Sequence, residues 1–126
     1  MKLKPVLVAS AIYLALVGLG VLLVPRYFGV GAVPSDAPPE LIAFLRVFSG
    51  PCIGIAVLNW LVRNADASAT RDAVVLANIV GFGLVAANDV HGVFSGEARD
   101  AAKAFLVVHL LFAFAFLAAR RSSARH

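Results

Sequence analysis

Apolar residues gather into four long runs, at residues 6–24, 41–62, 73–91 and 104–119, with polar residues between them. A hydrocarbon layer about 30 Å thick is crossed by roughly 20 helical residues rising about 1.5 Å each. The pattern predicts an all-α membrane protein with four transmembrane helices in a single domain. Short polar connections make sequential helices antiparallel neighbours. The expected architecture is an up-down-up-down four-helix bundle.

Helix breakers place the connections. Segment 25–40 is the longest, and Pro34, Pro38 and Pro39 with Gly29 and Gly31 keep it from continuing as helix. Ser35 or Asp36 ahead of Pro38, Pro39 and Glu40 reads as the start of the second helix. Ser68 or Thr70 reads as the cap of the third. Within the second run, Ser49-Gly50-Pro51 predicts a kink, because Pro51 lacks an N–H and crowds the carbonyl of Val47. Lipid gives no hydrophobic drive between helices, so contacts should use small residues. Gly18, Gly20, Gly50, Gly54, Gly81 and Gly83 are the candidates, and the Gly50-x-x-x-Gly54 spacing also suits a homo-oligomer.

Helical phase gives these spans faces. At about 100° per residue, Arg46, Ser49, Gly50, Ile53 and Val57 share one face of the second helix. Asn78, Phe82, Val85 and Asp89 share one face of the third; Phe105, His109, Phe112 and Phe116 share one of the fourth. Turned inward, they form a core with a polar outer half (Arg46, Ser49, Asp89, His109) and an apolar inner half. Asn59 lies about 140° from Arg46 and belongs to another interface.

Composition agrees. The chain is 61% hydrophobic with a mean hydropathy of +0.91, and 14% of it is charged, against about 25% in soluble domains. With the N-terminus inside, Lys2, Lys4, Arg63, Arg71, Arg120, Arg121 and Arg125 fall on the cytoplasmic side, and Arg26, Arg99 and Lys103 outside. That asymmetry places both termini in the cytoplasm. The net charge of +4 then reads as topology and contact with anionic membrane lipids, and nucleic acid is excluded as a partner. The first run is too long for a cleaved signal and reads as a retained helix. The single Cys52 rules out a disulfide within the chain.

The polar groups inside the spans are the chemical lead. An arginine at the depth of Arg46 costs several kcal/mol unless it snorkels or is paired. It either reaches the outer headgroups or pairs with Asp89. Asn88 stands beside Asp89 and could orient its carboxylate. His109 is either a hydrogen-bonded core histidine or a ligand or proton group acting with Asp89. His91 points about 160° away from Asp89, which argues against two histidines holding a haem. No spacing suits zinc. Neither metal nor cofactor is expected.

The stretch Leu45-Arg46-Val47-Phe48-Ser49-Gly50 sets an arginine four residues before a glycine at a helix start, and Pro25-Arg26-Tyr27-Phe28-Gly29 closes the first span. With four spans in this length, the layout resembles small bacterial four-helix membrane families of the DoxX-like kind. The resemblance implies a bacterial inner-membrane protein, and some members of those families are linked to membrane redox partners. It carries no catalytic residue over.

No nucleophile–base set or phosphate loop is present, so an enzyme is the less favoured class. The leading expectation is binding of a small hydrophobic or lipid-like ligand in the outer half, as a free-standing protein or as an accessory subunit of a larger membrane complex. Its candidate residues are Arg46, Ser49, Asn88, Asp89, Phe105, His109 and Phe112, beside the Pro51 kink. A small oligomeric transporter or channel, and a redox or acid/base subunit, are the alternatives.

Overall fold

The computed structural model describes residues 2–123. Arg125, counted above among the inner basic residues, lies outside them. Six helices follow in order: α1 (Leu3–Leu23), α2 (Pro25–Phe28), α3 (Pro39–Val47), α4 (Ser49–Val62), α5 (Ala69–Ser95) and α6 (Ala102–Ser123). No strand occurs among the described residues. Four segments are long and apolar enough to cross a membrane: α1, α3 with α4 (Pro39–Val62), α5, and α6 to Ser122. Each begins before its apolar run, because a backbone ladder continues through charged residues that hydropathy excludes.

At most 28% of the core of any span is buried within the chain. Leu23, Leu61, Leu84 and Phe114 are each 65–68% exposed. At about 25 cal/mol per Å², water would be a poor solvent for such a surface, and hydrocarbon a good one.

The chain folds as two compact units. One comprises Met1–Leu7 with Val62–His126, the other Val8–Leu61. In the Val8–Leu61 unit, α1 and α4 approach closely at Gly18. A Cβ there would lie 2.6 Å from Ile53 Cγ1 and 3.2 Å from the Ser49 carbonyl oxygen. Gly20 makes room for the Phe28 ring. A Cβ at Gly50, Gly54, Gly81 or Gly83 would meet nothing within 4 Å, which corrects their reading as contact residues within the chain. The buried line of α4 is instead Ser49, Ala56 and Asn59. Asn59 Nδ2 donates to Ser10 Oγ at 3.0 Å, and both residues are fully buried.

The second span is interrupted at Phe48, whose N–H turns back to the Leu45 carbonyl at 3.1 Å. The break stands three residues before Pro51. Ser49 Oγ donates to the Arg46 carbonyl at 2.6 Å and supplies a donor where the ladder is lost. Neither Ser35 nor Asp36 caps α3. Its cap residue is Pro38, and Pro39 in the first turn removes one N–H that would otherwise lack a partner.

The other unit is dominated by the antiparallel α5–α6 hairpin. Ser68 caps α5, accepting from the Arg71 N–H at 3.2 Å. At the same end, Arg120 grips Asp72 with two bonds, Nε to Oδ1 at 3.1 Å and Nη2 to Oδ2 at 2.9 Å. At the far end α5 stops at Gly96, which takes the left-handed conformation at φ 77°. The connection pairs its charges locally. Lys103 stands 3.3 Å from Asp100, and His91 3.7 Å from Glu97.

Candidate functional site

The α5–α6 hairpin brings Asp89 and His109 together. Asp89 lies six residues before the end of α5, about 9 Å by helical rise, and His109 seven residues into α6, about 10 Å. Their equal depth follows from the antiparallel pairing. His109 Nδ1 and Asp89 Oδ2 are 2.5 Å apart, and the side chains are only 13% and 14% exposed. An unpaired carboxylate at such depth is costly. The imidazole gives it a partner. The carboxylate also fixes the ring's orientation, since Nδ1 is committed and Nε2 points to the opposite side.

Aromatic rings surround this pair. Phe105 stacks on His109 with centroids 6.1 Å apart, and the Phe82 ring lies 6.2 Å away on a tilt. Phe82 stacks on Phe112 at 4.7 Å and on Phe116 at 6.1 Å. The guanidinium of Arg99 lies 5.5 Å from the centre of Phe105 and closes the row toward the connecting loop. The α6 stripe expected from phase is therefore the one that builds the site. On α5 the buried line is Asn78, Phe82 and Ala86, with Val85 44% exposed, so the face is rotated slightly from the expected one. Asn78 Nδ2 satisfies itself on the Val74 carbonyl at 2.9 Å.

The other expected site residues have different roles. Arg46 and Asp89 each have a partner other than one another. Arg46 Nε donates to the Leu22 carbonyl at 3.1 Å. That carbonyl belongs to the last turn of α1, where Pro25 offers no N–H and the ladder stops. The guanidinium thus caps α1, a favourable place for a cation. Ser49 is occupied with the Arg46 carbonyl, and Asn88 is exposed and outside the Asp89–His109 bond. Arg26, from the same loop region, donates to the Ala37 carbonyl at 3.0 Å. Replacing Arg46 with alanine is expected to lower stability by about 1 kcal/mol. Hydrogen exchange should then speed up at the C-terminal turn of α1, while amides of the α5–α6 hairpin stay protected. Uniform acceleration across the chain would contradict the capping role.

Three features were not anticipated: the Arg120–Asp72 fork, the Asn59–Ser10 pair and the Arg99 contact with Phe105. The first had a readable signal, because an acid in the first turn of one span and a base in the last turn of its antiparallel neighbour meet. Ser10 carried no such mark. Among the described residues, no group of three or more His, Cys, Asp and Glu side chains could hold a metal ion. Cys52 is a free, half-buried thiol.

No family model matches the chain. No curated protein and no solved structure matches it either.

Proposed function

We propose that this is a small inner-membrane protein of the DoxX-like layout, an up-down-up-down bundle with both termini cytoplasmic. In this reading it binds a small hydrophobic molecule bearing one oxygen or other polar atom. The observation that carries the reading is the Asp89–His109 bond set among Phe82, Phe105 and Phe112. Rings accept an apolar or planar body. The His109–Asp89 pair supplies the polar groups that meet the ligand's polar atom. A pair of this kind is expensive to keep in a membrane, and orienting a ligand accounts for it better than packing alone. The same bond favours a second reading, in which the pair holds and releases a proton as part of a redox or acid/base subunit.

Native mass spectrometry from mild detergent tests the first reading. The wild-type protein is expected to retain a small apolar molecule, and His109→Gln and Asp89→Asn are expected to lose it while remaining helical by circular dichroism. Equal retention in all three proteins, or a wild-type protein that retains nothing, would count against ligand binding at His109.

A further inference from the structure

The polar end of the unit formed by Met1–Leu7 and Val62–His126 carries a second, unrelated feature. A groove of about 430 Å³ is lined by Lys2, Lys4, Arg63 and Arg71, with Asn64 as a further donor. These residues come from the start of α1 and from the connection into α5, so distant parts of the sequence converge. No carboxylate lines it among the described residues, and Asp66 of the same connection stays off its wall. Arg71 is held in place, because its Nη1 donates to the Ala65 carbonyl at 2.9 Å. A guanidinium fixed on one side presents its remaining N–H groups in a set direction.

A second groove, of about 490 Å³, shares Leu3 and Arg71 with the first. Its wall includes the apolar Leu3, Val75 and Leu117. Its one carboxylate, Asp72, is taken up by the Arg120 fork. The joined surface thus offers cations at one end and hydrocarbon contacts at the other, at the level where the apolar spans end. A free anion would use only the first part. An amphiphile uses both.

We propose that this surface is a binding site for an anionic phospholipid, with its phosphate against Lys2, Lys4, Arg63 and Arg71 and an acyl chain along Leu3, Val75 and Leu117. A general attraction of basic residues to the membrane surface needs no concavity and no apolar wall. Convergence of four cations on one groove provides a defined headgroup position. The site is separate from His109 and does not depend on what binds there.

The test uses the full chain in a neutral detergent, with phosphatidylglycerol, phosphatidylcholine and inorganic phosphate as probes and bound lipid read by native mass spectrometry. Phosphatidylglycerol is expected to be retained well above phosphatidylcholine. Lys4→Gln with Arg63→Gln should reduce that retention about thirty-fold, as befits two basic groups at an anionic surface. The charge-matched pair Arg26→Gln with Lys103→Gln, neither of which lines either groove, should leave it unchanged. Equal retention of both lipids, or equal loss in both double variants, would overturn the site. Displacement of phosphatidylglycerol by inorganic phosphate alone at matched concentration would also overturn it, since the apolar wall would then contribute nothing. Arg71→Lys keeps the charge and loses the fixed fork. If the double variant fails to fold, a selective loss of phosphatidylglycerol in this variant supports the site, and retention at the wild-type level rejects it.

Discussion

Replacing His109 with leucine while Asp89 remains is expected to destabilise the protein by about 3–5 kcal/mol, the cost of leaving a buried carboxylate without its partner. Removing both groups, as Asp89→Leu with His109→Leu, should recover most of that loss, because an apolar pair needs no desolvated charge. The Asp89→Leu variant alone should lie between, since an imidazole is less costly than a carboxylate to leave in apolar surroundings. Reversible unfolding in mixed micelles, with helix content as the readout, supplies the four corners of the cycle. A double variant as unstable as the sum of the singles would mean that the two side chains matter separately, and the bond between them little. The design also separates stability from function. The double variant should fold well and retain no ligand.

Gly18→Leu is expected to be the most damaging substitution in the Val8–Leu61 unit. A Cβ at this position already meets Ile53 Cγ1 at 2.6 Å and the Ser49 carbonyl at 3.2 Å. The side chain of Ile53 can shift, but the Ser49 backbone can do so only by moving α4. Overpacking of this kind costs about 1–3 kcal/mol, and an isobutyl group belongs at the upper end or beyond it. Gly18→Ala should cost less, and Gly54→Ala should cost nothing, having open space around its Cβ. Thermal unfolding of the three variants in one detergent ranks them. A loss at Gly54 as large as at Gly18 would move the important contact to the outward face of α4 and would make that face an interface between copies.

These two experiments also mark where residue patterns are informative. The four spans were legible because length and hydropathy are properties of a run and survive errors at either end. The His109 stripe was legible because α6 is unbroken, so phase counted from Phe105 still holds at Phe116. Phase counted from Arg46 did not hold, because the ladder stops at Phe48 and starts again at Ser49. A glycine count could not distinguish Gly18 from Gly54. What separates them is which face of α4 turns inward, and that is set by Ser49, Ala56 and Asn59. Arg46 is expected from sequence either to reach the outer headgroups or to pair with Asp89, whereas its acceptor is a backbone carbonyl in the last turn of α1, a partner that no side-chain pattern encodes.

The segment from Gly96 to Lys103, which takes in the first residues of α6, carries two acids, Glu97 and Asp100, and two bases, Arg99 and Lys103. In the proposed orientation this segment must be carried to the outer side when the hairpin inserts. Moving one elementary charge through a potential of about 100 mV involves roughly 2.3 kcal/mol of electrical work. With its signs balanced, the loop does no net work on the transmembrane field and receives none. In that orientation the charges of this segment would add no net electrical work to insertion, whether or not the membrane is energised.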